Sequence, residues 1–486
     1  MVAVVGAGLA ARVIDLFDAP LDFHPIRQLH SFEIARGMYY SAVQDAPAWQ
    51  KAVAAQGWAD KGLIEPPIME TVTASLYHLV GHEALWLPRL LSICFWMVGG
   101  LALSAAAKRV LGAAGAVVGL GFFLFLPYGV TASRSFMPDP LMVALMSGAL
   151  WCAIAFVTSD HPERWVLPAG LTTGVALLVK PLAAFMLGPF WAVLVLAFFG
   201  RATLRSRHTW LIATLALLPT LVFLAHSLTV ERGAAAQLQY RFFPEKWATV
   251  EFYRAWASMI DRAVGLEWLA LAGVGLLTVP HPAIRKALFG WVAGYLAMGF
   301  VLSHHTSTHD YYSLPLIPVV AVGMGGLSAA AWKQLEKGPL RLRLAAVLIA
   351  AATAAVALQG AVSGLLSTRY SDQLPRWQEL GSLFAPEDQI TGLLPDYGHP
   401  FRFFGWRMYR WWPDTVEREI MGVSPAEFPA YWRESTSDMD YFVVTEFWQL
   451  DLQPDVRDHL NLHCHLVHDT ESYRVFSLGS PTCRDP

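Results

Sequence analysis

Charge is scarce in this sequence. Asp, Glu, Lys and Arg make up 15% of 486 residues against 55% hydrophobic, a balance too apolar for an ordinary soluble globular chain of this length. The formal net charge is −3 and no basic stripe is present, so phosphate neutralisation has no sequence basis and nucleic acid is excluded as a partner. Cysteine is also rare, at four residues, too few for a disulfide framework. Cys94 and Cys152 lie inside apolar runs, where a free thiol behaves as a small hydrophobe. No internal repeat or low-complexity stretch is found, and the lack of a repeat argues against an inverted-repeat transporter.

The apolar residues that dominate come in blocks long enough to cross a bilayer, roughly 17–25 residues each. About eleven candidate spans are read from hydropathy: 2–17, 85–107, 110–130, 140–157, 165–179, 181–199, 210–228, 266–279, 287–303, 314–331 and 344–366. The first is short and contains Arg12 and Asp15. A cleaved signal peptide is the rival reading there, but the segment lacks a basic n-region. Alternate connections are basic: Lys108 and Arg109, Arg164, Arg201 with Arg205 and Arg207, Arg285 and Lys286, then Lys333, Lys337, Arg341 and Arg343. Positive charge in short loops marks the cytoplasmic side. The other set, 18–83, 131–139, the turn at Lys180, 229–265 and 304–312, is then extracytoplasmic, together with the tail. The cytoplasmic connections are short and plain, whereas the outer ones are rich in His, Asp, Glu, Tyr and Trp, so a site is expected outside.

The tail, 367–486, changes character. It carries turn signals at Pro395-Asp396, Gly398 and Pro413-Asp414, and alternating runs at 440–445 and 473–478 that predict strands. A small α/β domain follows. Cys464 and Cys483 lie in it, in a compartment where a disulfide persists.

Within the first outer loop, Asp22 and His24 precede, and Arg27 lies among, apolar residues at Ile26, Leu29, Ile34 and Met38. That spacing predicts an amphipathic helix at the membrane interface. Asp22 is either a helix cap or a site carboxylate, and His24, Arg27 and His30 are either solvated or functional. Lys180 stands between two apolar runs, where an ammonium must snorkel or face a partner. Asp139 directly precedes a span, as a dipole-favoured helix start or as a site residue. His304, His305 and His309 cluster without any zinc-ligand spacing, so a divalent metal is not indicated. Trp411-Trp-Pro-Asp414 reads as ordinary folding sequence.

Glu65-Pro-Pro-Ile-Met-Glu70, a helix, Leu87-Pro-Arg89-Leu-Leu and a span ending in Lys108-Arg109 form a pattern. It continues at Ala132-Ser-Arg-Ser-Phe-Met-Pro-Asp-Pro-Leu141, at Gly174-Val-Ala-Leu-Leu-Val-Lys-Pro181 and at His309-Asp-Tyr-Tyr-Ser-Leu-Pro-Leu-Ile-Pro318. In this order the motifs resemble the lipid A aminoarabinose transferases and protein O-mannosyltransferases, of the GT-C class. In one place the chain departs from that pattern: Arg27-Gln28 stands where those enzymes carry an Asp-Glu pair.

The resemblance implies a polytopic α-helical GT-C fold, with a membrane module over 1–366, including the loop 18–83, and an extracytoplasmic domain over 367–486. It implies inverting transfer of a sugar from a polyprenyl-monophosphate donor to an envelope acceptor, whether lipid, polysaccharide or protein. Such chemistry needs a carboxylate base and groups that hold charge on the leaving phosphate. Asp22 and Asp139 are the candidates for the first role. Lys180, Arg134, Arg27, His309, Tyr311, His24 and Glu65 are the candidates for donor binding. A transporter or lipid flippase is the rival from another class, and a catalytically inactive scaffold is a third reading.

Overall fold

The computed structural model describes residues 1–62, 65–231 and 242–485. Part of the expected outer loop 229–265, residues 232–241, lies outside the described residues. The chain divides into two compact units. One comprises Met1–Phe17, Gly62–Met69 and Leu85–Thr368; the other comprises Asp18–Lys61, Glu70–Ala84 and Arg369–Pro486. This differs from the division at 366, which assigns all of 18–83 to the membrane half.

In the first unit every apolar segment read from the sequence falls on a helix. Six helices among the described residues are long and apolar enough to cross a membrane: Trp86–Phe125, Asp139–Thr158, Arg207–Thr229, Pro282–Val301, Asp310–Leu335 and Leu340–Ser382. The two expected spans at 85–107 and 110–130 run as one helical stretch, broken at Gly112 (φ 78°). The break thus comes after the basic pair Lys108-Arg109, at the first residue that tolerates a positive φ without a Cβ clash. Helices Leu266–Leu277 and Ile317–Leu335 cross through small residues, the membrane mode of close packing. A Cβ built on Gly275 would lie 1.9 Å from the Gly323 carbonyl oxygen.

Prolines cut this unit at the positions that matter. Pro181 disfavours helical geometry at the residue before it, and Lys180 is extended (φ −153°, ψ 105°), ending helix Glu163–Val179. Its N–H still donates to the Ala176 carbonyl at 3.1 Å. Asp139 opens helix Asp139–Thr158 with Pro140 in the first turn, where the missing proline N–H costs nothing.

The second unit contains a five-stranded mixed sheet of order β2-β1-β3-β5-β4, with β1 Ile390–Leu393, β2 Arg410–Trp411, β3 Tyr441–Val444, β4 His465–Asp469 and β5 Arg474–Ser477. Strand β1 runs parallel to β2 and β3, while β5 is antiparallel to β3 and β4. The two runs read as strands are β3 and β5. Trp412, Trp432, Phe442, Leu460 and Phe476 form the core beside the sheet. Cys464 and Cys483 are joined in a disulfide, Cα to Cα 4.7 Å, and helix Pro454–His463 ends at it.

The helix predicted to lie amphipathically at the interface, Pro25–Ala42, instead buries Gln28, Leu29, Phe32, Glu33, Ile34 and Arg36. Polar and apolar residues are buried together because polar partners from the tail and from residues 61 and 83 meet them. Glu33 Oε1 is 2.8 Å from His399 Nδ1, and Glu33 Oε2 is 2.9 Å from Lys61 Nζ. Arg36 Nη1 donates to the Phe403 carbonyl at 2.6 Å, and its Nε binds Glu83 at 3.0 Å.

Burial alone would raise the Glu33 carboxyl. The hydrogen bond from His399 and the charges of Lys61 and Arg402 reverse this and hold it down at about 2. A depressed carboxylate stabilises the fold above its unfolded value, near 4.5, and that stabilisation is lost as pH falls towards 2. The protein is therefore expected to lose on the order of 3 kcal/mol through this group across that window. Glu33→Gln should be less stable at neutral pH but should lack that part of the acid slope in thermal melts. An unchanged slope in the variant would refute the assignment.

Candidate active site

Three segments far apart in sequence meet in the first unit. Lys180, from the break after helix Glu163–Val179, donates to both carboxylate oxygens of Asp139 at 2.8 Å. Both residues are buried, at 3% and 1% exposure. An ammonium in an apolar setting is costly unless paired, and here the pair forms within the protein instead of Lys180 snorkelling to the surface. Over it lies the 3₁₀ turn Asp310–Leu316. The Lys180 ammonium is 5.0 Å from the Tyr311 ring centroid and 5.6 Å from that of Tyr312, within cation–π range.

The neighbouring groups extend this cluster. His309 lies edge-on to Tyr311 at 5.5 Å and stacks on His305 at 5.4 Å. Tyr128 donates to Asp310 at 2.5 Å. Sequence reasoning singled out neither Tyr128 nor Asp310 as a site residue, although Asp310 stood inside a quoted motif. Arg134 is fully buried and donates to the Asp15 carbonyl at 2.8 Å. Beside it, Arg12 donates to Ser133 Oγ at 2.7 Å and to the carbonyls of Leu124 and Gly8. The arginine that made the first span look imperfect therefore fastens that helix to the loop before Asp139. Glu65 is half-buried in the short segment preceding helix Ile68–Val80.

Asp22, His24 and Arg27 belong to the second unit. His24, not Asp22, is the N-cap residue of helix Pro25–Ala42, in the left-handed region (φ 44°) and without a side-chain cap bond. Asp22 Oδ1 accepts from Gln28 Nε2 at 3.4 Å. His30 is held well below its usual range by burial and by the charges of Arg27 and Lys61.

The histidine cluster forms ring contacts, and His304 Nδ1 is 3.0 Å from Lys246 Nζ. Among the described residues, His459, Cys464 and Cys483 come close enough to suggest a metal ion. Their sulfurs are bonded to each other and are not thiolate ligands.

Residues 65–226 match the family model described as dolichyl-phosphate-mannose-protein mannosyltransferase. No curated protein sequence matches the chain significantly. Among solved structures, ArnT from Cupriavidus metallidurans bound to undecaprenyl phosphate is similar over 99% of this chain and 98% of its own, at 17% identity and a TM-score of 0.63. The chain has the fold of this structure, the GT-C fold. The same fold is seen in the oligosaccharyltransferase AglB from Archaeoglobus fulgidus in complex with an inhibitory peptide and a dolichol-phosphate. It covers 98% of this chain and 74% of its own, at 10% identity and a TM-score of 0.52. Arabinofuranosyltransferase AftD from Mycobacteria covers 99% of this chain and 41% of its own, at 16% identity and a TM-score of 0.51. In this GT-C chain the Asp139–Lys180 pair lies inside the region of the family match, and the Tyr311 turn that covers it lies outside.

Proposed function

We propose that the protein transfers a sugar from a polyprenyl-monophosphate donor to an envelope acceptor on the extracytoplasmic side, with inversion at the anomeric carbon. The observation that carries this reading is the buried Asp139–Lys180 pair under Tyr311, in a chain whose fold is that of polyprenyl-phosphate-binding transferases. A lysine ammonium has three donors, and two are engaged by Asp139. The third is left for an oxygen of the donor phosphate. With both oxygens on Lys180, Asp139 serves to hold that ammonium, and Asp22 is the better candidate for the base.

In the proposed step the acceptor hydroxyl attacks the anomeric carbon, and a new glycosidic C–O bond forms. The bond from that carbon to the phosphate oxygen breaks, and its electron pair leaves with the polyprenyl phosphate. The hydroxyl proton passes to Asp22. Lys180 holds the charge left on the phosphate, with Arg134, Arg27, His309, Tyr311, His24 and Glu65 as the further candidates around donor and acceptor. The rival of an inactive scaffold rests on Arg27-Gln28 standing in place of an acidic pair.

The test is incubation of purified protein with polyprenyl-phosphate sugars and a panel of lipid, polysaccharide and peptide acceptors, with release of polyprenyl phosphate followed by mass spectrometry. Stoichiometric release with a glycosylated acceptor is expected. Movement of intact donor across vesicles without release would favour a flippase, and donor binding without release or movement would favour the scaffold.

A further inference from the structure

The second unit carries a narrow pocket that the transfer chemistry does not use. Its walls come from helices Pro25–Ala42 and Ala48–Ala59, from helix His399–Gly405 and from the chain that follows it, and they include Glu33, Arg36, Gly57, Arg402 and Arg407. Gly57 leaves one wall open. A Cβ there would meet Glu33 Oε2 at 3.6 Å and Arg402 Nη2 at 4.0 Å, both ordinary contacts, so a side chain can be started on that wall without a clash at Cβ.

The charges around it do not balance. Arg36 pairs with Glu83, and Arg402 pairs with Asp60 at 2.7 Å. Lys61 and His399 share Glu33, with Arg402 Nε 3.7 Å away. Arg407 donates only to carbonyls, those of Phe384 and Trp406, through three hydrogen bonds. A guanidinium has five donors, so two remain, and among the described residues no carboxylate forms an ion pair with it. Asp388 and Glu387 act on it only at longer range. Beside this cation stands an aromatic ledge: Arg407 lies 5.8 Å from the Trp49 ring, and Trp49 is 37% exposed and edge-on to Trp406 at 6.0 Å.

A half-buried guanidinium with spare donors is suited to an oxyanion, and an exposed indole next to it offers an apolar face with a polar edge. We infer that this pocket binds the oxyanion of an acidic saccharide, a carboxylate or a phosphate monoester, with the sugar ring laid on Trp49. Taken with the proposed transfer reaction, it would recognise an acidic glycan as the acceptor.

The experiment uses the full chain in detergent and ligand-detected saturation-transfer NMR with glucuronate, glucose 6-phosphate and glucose. One or both acidic sugars should bind about tenfold more tightly than glucose, the value of one hydrogen bond to a charged group. Binding to glucuronate alone identifies a carboxylate, and to glucose 6-phosphate alone a phosphate; either outcome supports the inference. Arg407→Gln and Gly57→Leu should each bring the acidic sugars down to the glucose level with the melting temperature retained. Where Arg407→Gln fails to fold, Gly57→Leu decides. Equal binding of glucose, or full acidic-sugar binding in the variants, overturns the inference. No donor is present and no transfer is read, so failure here leaves the transferase proposal standing, and failure of transfer leaves this pocket standing.

Discussion

Lys180→Ala is expected to destabilise the membrane unit by about 3–5 kcal/mol, because it leaves a carboxylate buried without its counter-charge. The magnitude follows from the environment. Lys180 and Asp139 are both nearly inaccessible, and the ammonium donates to both oxygens, so neither charge has water to turn to when its partner is removed. Asp139→Ala should be comparably damaging. The double variant should be milder than the sum of the two, since removing both charges also removes the desolvation cost that the pair was repaying. Thermal unfolding in detergent, read as a double-mutant cycle, measures the coupling. Strict additivity would mean that the pair is not a unit. Donor affinity should fall in Lys180→Ala as well, because the proposed phosphate contact exists in both ground and transition states.

The helical half of this protein was legible because apolar blocks and bracketing prolines act locally. Pro181 alone explains why the chain opens at Lys180, and Pro140 marks the helix that Asp139 starts. The pairing of those two residues, 41 positions apart, was not legible, since two candidate charges say nothing of each other until their helices pack. Tyr128 with Asp310, 182 positions apart, was further out of reach. The helix break illustrates a different failure. Basic residues 108 and 109 marked a connection between two spans, but backbone geometry placed the turn itself at Gly112. The largest miss concerns helix Pro25–Ala42. Its spacing suggested a surface stripe, yet Glu33 and Arg36 are buried because His399 and Phe403, more than 360 positions away, complete their bonding. Such partners lie in the tail, and no window along the sequence joins them. The disulfide was legible from compartment and number alone, with only two cysteines in the polar tail to join.

Asp22→Asn is expected to lower turnover by about 10²- to 10⁴-fold, the usual contribution of a positioned general base, while leaving donor binding largely intact. The substitution keeps the shape of the side chain and an oxygen able to accept the Gln28 bond seen at 3.4 Å, and removes the negative charge and with it the capacity to take a proton. A loss confined to kcat with KM for the donor unchanged would identify an interaction made in the transition state. That split separates a base from a structural carboxylate, whose loss would lower stability and donor affinity together. Asp139 is a poorer base because protonating it would remove the counter-charge of Lys180 and strand an ammonium in an apolar setting. Full activity in Asp22→Asn would sink the assignment and move the search to Glu65, half-buried in the segment before helix Ile68–Val80. Gln28→Glu in the same background offers a sharper version. It places a carboxylate six residues along, in the position where the resembling enzymes carry an acid. Gln28 is buried and donates to the Phe23 carbonyl at 2.7 Å, so the melting temperature should fall, but partial recovery of turnover there would show that the loss was of a proton acceptor.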